Sequence, residues 1–370
     1  MESRNFRYVP EIDQLRGLAA LLILFYHGLH LFRHSLTREG PFVLDGWMAT
    51  SNPLLAVIVE GYGAVALFMV LSGFIFAYGL GQANVDYWQF VRNRFLRTYP
   101  LFVFMLFLGI ATHAGNFNLQ GFFLTLFFMA NSPGALELGP FTAMFWAVAV
   151  EWQFYLLFPF LLVFVRQGGL RFVGGLVVLF VALRLLASLY DASLRDLAYW
   201  TIVGRLEQFL IGVWLGVRLS QRGIPVLPRP CWVLLAAAGG VMVYSLLLNR
   251  AGGWFEDGLW RAFWPAVEGS AWAGFMVLFL GSARALPRWL GAVLVRVGVL
   301  SYSVYLLHVL IIDSVIRLGW LVAPAWLGVT GAALVTTLVV VLPVVLAISY
   351  LSFNAIEKPF LGLRHRYARE

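Results

Sequence analysis

Long apolar runs recur along the whole chain and constrain its fold more than any other feature. They lie roughly at 14–32, 54–80, 99–131, 141–165, 172–190, 200–219, 231–249, 265–282, 298–316 and 326–352. A helix needs about 20 mostly apolar residues to cross a bilayer, and most of these runs approach or exceed that length. Only 12% of the residues are charged, whereas a soluble domain carries about 25%. The sequence therefore predicts an all-α integral membrane protein.

The positions of the basic residues predict how many times the chain crosses the membrane. Lys and Arg concentrate in cytoplasmic loops, and basic clusters recur here in alternate connections. Counting back from the basic C-terminus, these clusters are Arg284/Arg288/Arg296, Arg222/Arg229, Arg166/Arg171, Arg92/Arg94/Arg97 and Arg4/Arg7. The run at 99–131 is interrupted by THAGNFN at 112–118. All of these basic clusters lie on the same side of the membrane only if this run crosses the membrane once. We therefore expect about ten transmembrane helices with both termini cytoplasmic, and an interfacial or re-entrant helix at 119–131.

The net charge of +8 is consistent with this topology. In a soluble protein such a charge would suggest a nucleic-acid partner, but here positive-inside orientation and membrane-lipid headgroups account for it. Cys231 is the one cysteine, which excludes an intramolecular disulfide. The first apolar run lacks a cleavage site and is interpreted as a retained span. No internal repeat or soluble appendage is visible, so residues 1–370 are interpreted as one membrane domain.

Arg16 and His27 lie on one face of the first predicted span. They are 11 residues apart, which is within about 20° of three full turns and about 16 Å along the helix axis. Ionisable residues inside a span usually face a bundle interior or a cavity. His27 is either a packing histidine or a functional one, and spacing alone does not decide between them. His30 and His34 continue the stripe and are interpreted as interfacial or loop histidines.

Other ionisable residues are also predicted within the bilayer. Glu60 falls at a depth similar to that of His27, Glu151 lies mid-membrane in the fourth span, and His308 lies mid-membrane in the ninth. The remaining ones are Arg184, Arg205, Glu207 and Glu268. Because a bare charge is costly there, a buried carboxylate is either paired with a cation or neutral.

The cluster formed by Arg92, Arg94 and Arg97 marks the cytoplasmic end of the third span and allows two interpretations. It is either a positive-inside signal or a binding site for a phosphorylated cytoplasmic ligand, because arginine forks pair with phosphate oxygens. The composition of the cluster leaves both interpretations open.

Seven short motifs follow one another along the chain. They are QLRGLAALLILFYH, FMVLSGFIF, RNRFLRTYPLF, FWAVAVEWQFYLLFP, GRLEQFLIGVWLG, LSYSVYLLH and IEKPF. In this order they resemble the landmarks of the acyltransferase-3 family of bacterial membrane acyltransferases, whose first span carries an Arg, ten residues and a His. Arg16 and His27 meet that spacing, and the likeness spans residues 11–360. One departure is Ala66, where the family often has an acidic residue. The role of that carboxylate is either absent here or supplied by another residue such as Glu60.

The resemblance implies a membrane-bound O-acyltransferase in the bacterial cytoplasmic (inner) membrane. It implies transfer of an acyl group, usually acetyl from acetyl-CoA, to a sugar hydroxyl of a cell-envelope glycan or a lipid-linked sugar. We expect no metal site and no nucleic-acid partner. The esterase-like soluble domain that some members append is not found in this sequence.

On this resemblance we expect three groups of site residues. The acyl-CoA-binding group is Arg16, Ser72, Arg92, Arg94 and Arg97. The catalytic group is His27, Glu60 and Glu151. In it His27 is the general base, and one of the two carboxylates orients its ring. The acceptor-binding group is Arg205, Glu207 and His308. Direct transfer and an acyl-histidine intermediate would need the same residues.

Two other classes of protein remain open. A secondary transporter would use ten spans and a proton relay from His27 through Glu60. However, the two halves of the chain show no repeated pattern and no matched pair of broken helices, which such transporters commonly have. A non-catalytic assembly protein would not need Arg16 and His27 aligned on one face. The acyltransferase interpretation is therefore favoured.

Overall fold

The computed structural model describes residues 8–37 and 47–369, and these residues are mostly helical. Arg4 and Arg7, which enter the predicted topology, lie outside the described residues. The helices are α1 (Pro10–Thr37), α2 (Pro53–Val59), α3 (Ala64–Leu80), α4 (Tyr87–Thr112), α5 (Leu119–Leu126), α6 (Phe145–Ser188), α7 (Leu194–Trp200), α8 (Ile202–Arg222), α9 (Pro230–Arg250), α10 (Trp264–Ser282), α11 (Arg288–Val299), α12 (Ser301–Arg317), α13 (Gly328–Thr336), α14 (Leu342–Ser352) and α15 (Lys358–Leu361). Two-residue strands β1 (Asn84–Val85) and β2 (Ala368–Arg369) pair antiparallel.

Within the described residues, seven helices are long and apolar enough to cross a membrane. They are Pro10–Thr37, Gly61–Leu80, Tyr87–Thr112, Gly139–Ser188, Pro230–Arg250, Trp264–Ala285 and Gly328–Leu361. The pair α11 and α12 meets the same criterion as one unit bent by 75°, which raises the number to eight. The chain is therefore a multi-pass α-helical membrane protein.

Helix α6 is kinked within the connection predicted at 166–171. Its only residue with non-helical dihedral angles is Gly169, whose φ is 54°, a region that glycine enters without steric cost. At 1.5 Å per residue the 44 residues of this helix extend about 66 Å, roughly twice the ~30 Å hydrocarbon thickness of a bilayer. The apolar runs at 141–165 and 172–190 are thus two arms of one broken helix.

The apolar run at 99–131 breaks at the predicted position. Helix α4 ends at Thr112, and Asn118 caps the start of α5. The eight residues of α5 rise only about 12 Å, which is too short to cross a bilayer. Because α4 begins at Tyr87, the basic cluster predicted within the loop at 81–98 lies on the first turns of this helix instead.

Two other apolar runs are also broken by the structure. The run at 54–80 divides into α2 and α3, separated by Glu60 and the 3₁₀ turn Gly61–Gly63. The run at 298–316 corresponds to α12, which begins after the bend that follows α11. These breaks place Glu60 at a helix end and put His308 on a short helix of its own.

Helix α1 packs against α3, α11, α12 and α13. Two glycines permit close approaches: a Cβ at Gly17 would overlap the backbone of Leu294, and a Cβ at Gly28 would overlap the side chain of Thr337. Most of the α1 side chains that face these neighbours are completely buried. This packing fixes the positions of Arg16 and His27 relative to α12.

Helices α3 and α8 also approach each other closely through small residues. A Cβ at Gly73 would overlap the carbonyl oxygen of Phe209, and a Cβ at Gly212 would overlap that of Val70. Small residues at such contacts let membrane helices pack backbone against backbone. The packing holds Ser72, the neighbour of Gly73, at a defined position in the bundle.

The C-terminal segment returns to the start of α4. Besides the β1–β2 pairing, the Asn93 amide nitrogen donates to the His365 carbonyl oxygen at 2.6 Å, and the His365 backbone nitrogen donates to the Asn93 oxygen at 3.0 Å. This segment therefore forms a wall beside the basic residues of α4.

Candidate active site

A cavity of about 500 Å³ opens between α1, α3, α4, α6, α12 and the C-terminal segment. Five residues predicted from the sequence line it, and they come from four different helices: Arg16, Ser72, Arg94, Arg97 and Glu151. The charged residues of the wall that the structure describes are four arginines, including Arg364, and two carboxylates, including Asp13. We call this the arginine cavity, and its excess of positive charge suits an anionic ligand.

Arg94 and Arg97 lie three residues apart on α4 and so share one face of the helix. The Arg94 guanidinium carbon lies 4.6 Å from the centroid of the Phe76 ring, and its buried Nε has no hydrogen-bond partner. Within the described residues no ion pair involves Arg94. Arg97 instead pairs with the buried Glu357 at 3.2 Å. Arg94 is therefore the arginine of this pair with donors available for a ligand.

Arg92 does not join the other two arginines of the cluster. It lies two residues before Arg94, which places it about 200° away around the helix. Its side chain is exposed and is absent from the wall of the arginine cavity as far as the structure describes it. This position fits a positive-inside signal and not a ligand contact.

Ser72 and Glu151 form one contact in the wall of the arginine cavity. The Ser72 hydroxyl donates to Glu151 Oε1 at 2.8 Å, which joins α3 to α6. Arg16 pairs with Asp13, one turn earlier on α1, at 3.3 Å. Glu151 thus faces the arginines and not the ring of His27.

A second cavity of about 110 Å³ adjoins the first. Val65 and Tyr305 line both cavities, so these two side chains form the partition between them. The Tyr305 hydroxyl is buried and has no hydrogen-bond partner within the described part of the chain. Aromatic rings dominate the rest of the wall: Tyr26, His27, His30, Trp146, Tyr199, Trp200 and Trp254. We call this the histidine cavity.

The ring of His27 contacts a second histidine. His308 Nε2 lies 3.0 Å from His27 Nδ1, and the two residues are 281 positions apart in the sequence. His27 Nδ1 also lies 3.1 Å from the Ile23 carbonyl oxygen, and His308 Nδ1 lies 3.0 Å from the Val304 carbonyl oxygen. Each histidine is therefore anchored to the preceding turn of its own helix, and the two helices meet through the rings.

Neither predicted carboxylate orients the His27 ring, which corrects the sequence-based expectation. Glu60 Oε1 accepts from Trp47 Nε1 at 2.6 Å and from Asn249 Nδ2 at 2.7 Å, because the break after α2 turns Glu60 towards α9. Glu151 is held by Ser72. The nitrogen that these carboxylates were expected to bind is occupied by His308, which the sequence assigned to the acceptor.

Comparison with known proteins shows which family the chain belongs to. The family model described as an acyltransferase domain, that of the acyltransferase-3 family, matches residues 9–348. The chain belongs to the acyltransferase-3 family. It is therefore a membrane-bound O-acyltransferase, and its site must accept an acyl donor.

Curated relatives of this acyltransferase are similar along most of its length. It is 26% identical to Nodulation protein 10 from Rhizobium leguminosarum bv. viciae, an alignment that covers 95% of this chain and 93% of the relative. It is 26% identical to Acyltransferase MdmB from Streptomyces mycarofaciens, over 82% and 79%. It is 25% identical to Peptidoglycan O-acetyltransferase OatA from Listeria monocytogenes, over 66% of this chain and 40% of that protein. No solved structure matches the chain.

The predicted acceptor-binding residues of the acyltransferase separate in the structure. Arg205 pairs with Glu268 at 3.3 Å, and its guanidinium carbon lies 4.2 Å from the centroid of Tyr199, a ring that lines the histidine cavity. Glu207 pairs with Arg184 at 2.8 Å, and both side chains are completely buried. Glu207 therefore belongs to an ion pair inside the bundle and is not among the described residues that line either cavity.

Several residues of this site are not found by reasoning from the sequence. His30 was interpreted as interfacial, but α1 continues to Thr37, so His30 lies inside the helix, lines the histidine cavity and stacks on Trp47 at 4.8 Å between centroids. Tyr305 lies within the motif LSYSVYLLH, three residues before His308. The motif is a signal for both residues, but it does not show that Tyr305 separates two cavities.

Proposed function

We propose that this acyltransferase moves an acetyl group from acetyl-CoA to a sugar hydroxyl of a cell-envelope glycan or a lipid-linked sugar, with His27 as the general base. The observation that carries the proposal is the arrangement of the two cavities. An arginine-lined cavity adjoins a histidine-containing cavity, and Val65 and Tyr305 line both of them. A donor held in the first cavity can present its acyl group to a base in the second.

The arginine cavity is the proposed donor site. The phosphates of an acyl-CoA need donors that are not already paired, and Arg94 supplies them, with its unpartnered Nε and no ion pair within the described residues. Arg16 lies deeper on α1 and contributes the same type of group. Arg16 and His27 are about 16 Å apart along the helix axis. The long, thin arm that joins the phosphates of an acyl-CoA to its thioester can cover this distance.

His27 is the proposed base because its ring lies in the histidine cavity. It takes the proton of the attacking sugar hydroxyl while that oxygen bonds to the thioester carbon. The carbon–sulfur bond then breaks, and the protonated ring returns the proton to the departing thiolate. Positioned general bases contribute about 10²–10⁴-fold to such reactions.

The histidine cavity is the proposed acceptor site. Its aromatic rings, among them Trp146, Tyr199 and Trp254, offer flat apolar faces against which the C–H face of a sugar ring can pack. The Arg205 guanidinium lies over the face of the Tyr199 ring. A relative that carries the name peptidoglycan O-acetyltransferase supports a glycan as the acceptor. The structure gives no equivalent argument for Glu207.

We also propose ten membrane crossings with both termini cytoplasmic, in the inner membrane. The two arms of α6 count as two crossings, and α8 has 21 residues, about 31 Å at 1.5 Å per residue, which suffices for one more. Added to the six other apolar helices and α12, these give ten. The arginine cavity then opens to the cytoplasm, where acetyl-CoA is made.

The test is a transfer assay with the purified protein in lipid vesicles, using acetyl-CoA labelled in the acetyl group and a bacterial glycan fraction. We expect label in the glycan as an ester, which mild base releases. The rival secondary transporter predicts substrate accumulation in vesicles that depends on a proton gradient, with no label in the glycan. That result would contradict the proposal.

A further inference from the structure

The hydrogen bonds of the His27–His308 pair define which nitrogen of each ring carries a proton. His308 is completely buried, and its Nδ1 lies 3.0 Å from the Val304 carbonyl oxygen. A carbonyl oxygen can only accept a hydrogen bond, so His308 Nδ1 carries a hydrogen. A neutral imidazole has one N–H. A buried ring favours the neutral form when no counter-charge lies beside it, and none of the described residues forms an ion pair with His308. His308 Nε2 is therefore an acceptor.

The same reasoning applies to His27. Its Nδ1 has two neighbours, the Ile23 carbonyl oxygen at 3.1 Å and His308 Nε2 at 3.0 Å. Both neighbours are acceptors, so His27 Nδ1 must be the donor. A neutral His27 then has no hydrogen on Nε2, and that nitrogen carries the lone pair that a general base needs.

We propose that His308 is a positioning residue that holds His27 in the tautomer with Nδ1 protonated and Nε2 free to accept the proton of the substrate hydroxyl. This inference rests on the proposed function, in which His27 is the base. In serine hydrolases an aspartate holds the catalytic histidine in the same way, whereas here the holding group is a neutral imidazole.

His308 also acts during the reaction. When His27 Nε2 takes the hydroxyl proton, the His27 ring becomes positively charged and its Nδ1–H becomes a stronger donor. The hydrogen bond to His308 Nε2 is then charge-assisted, and such bonds are about twice as strong as neutral ones. His308 thus stabilises the charged ring without itself gaining or losing a proton.

Two substitutions distinguish whether His308 fixes the tautomer of His27 or only packs against it. His308→Gln keeps an oxygen or nitrogen at the distance of Nε2 from the backbone, whereas His308→Leu fills similar space without an acceptor. We expect His308→Leu to lower kcat by about 10–100-fold, the range for loss of a hydrogen bond to a charged group, with an unchanged KM for acetyl-CoA. His308→Gln should recover most of that loss. Wild-type kcat in His308→Leu, or equal losses in both variants, would overturn the inference.

The tautomer itself can be measured on the wild-type protein, so the inference does not depend on whether the His308 variants fold. In protein labelled with ¹⁵N-histidine, the His27 signal, assigned by its loss in His27→Ala, should show a protonated Nδ1 and an unprotonated Nε2. The opposite tautomer would overturn the inference. Full transfer by His27→Ala would instead refute the proposed function. An inactive His27→Ala with a fully active His308→Leu would refute the role of His308 alone.

Discussion

Arg184 and Arg94 both lie inside this membrane protein, but their surroundings differ. Arg184 Nε donates to the Ala262 carbonyl oxygen at 2.8 Å, Nη1 donates to the Val203 carbonyl oxygen at 2.9 Å, and Nη2 pairs with Glu207. Arg94 instead lies beside aromatic rings at the edge of a cavity, with an unpartnered Nε. An arginine whose three nitrogens all donate hydrogen bonds within the protein holds the bundle together, whereas one with an unpartnered Nε beside a cavity is available to a ligand.

The largest difference should come from breaking the buried ion pair between Arg184 and Glu207. Glu207→Ala leaves Arg184 buried without its carboxylate, and removal of one partner of a buried ion pair costs about 3–5 kcal/mol. We expect the free energy of unfolding in detergent micelles to fall by that amount. Asp313→Ala is the matched control, because its partner Arg317 is mostly exposed and exposed pairs contribute about 0–1 kcal/mol. Equal stability of the two variants would show that Arg184 is not a structural arginine.

The next largest effect is expected on acetyl-CoA binding when Arg94 is replaced. Arg94→Ala removes a proposed phosphate contact, and a hydrogen bond between charged groups is worth about 1.5–3 kcal/mol. The Kd for acetyl-CoA should therefore rise about 10–100-fold, with little change in unfolding. Isothermal titration with the purified variants measures it.

Arg92→Ala is the control for that measurement, because it removes the same charge from the exposed face of the same helix. Its Kd should stay within about twofold of wild type, as for an ordinary surface substitution. Arg97→Ala is less informative than Arg94→Ala, since it also strips the buried Glu357 of its partner. If Arg92→Ala and Arg94→Ala weaken binding equally, both residues act through long-range charge and the arginine cavity is not the donor site.

The smallest effect is expected at Ser72. Ser72→Ala removes the hydrogen bond that fixes Glu151 in the cavity wall, and a typical intramolecular hydrogen bond contributes about 0.5–1.5 kcal/mol. Turnover should fall by no more than about tenfold. Ser220→Ala, which loses only a bond to the Val217 carbonyl oxygen, should transfer acetyl groups at the wild-type rate. A loss as large as that expected for His27→Ala would give Ser72 a direct role in the chemistry.

Local periodicity predicted part of this molecule because a helix fixes the relative directions of residues on it. The spacing of Arg16 and His27 predicted a shared face of α1, and the structure places these residues in two adjoining cavities. Arg94 and Arg97 share a face of α4 for the same reason. The family assignment, which rested on the order of the motifs, is confirmed.

The partners across helices could not be predicted, since they depend on how helices distant in sequence pack. Nothing in the sequence indicates that Asn249 would bind Glu60, or that His308 would meet His27. Likewise Glu207 and Arg205, two residues apart, pair with different helices. A polar residue in a span signals a need for a partner, but not the identity of that partner.

The central proposal is that the arginine cavity binds the donor and that His27 acts as the base. Its most direct test is to measure both acetyl transfer and acetyl-CoA affinity in His27→Ala. Turnover should fall by about 10²–10⁴-fold, the typical contribution of a general base, while the Kd for acetyl-CoA stays at the wild-type value because the arginine cavity is untouched. His113→Ala, a histidine at the end of α4 that lines neither cavity, should match wild type in both. Transfer by His27→Ala at the rate of His113→Ala would contradict the assignment of His27 as the base.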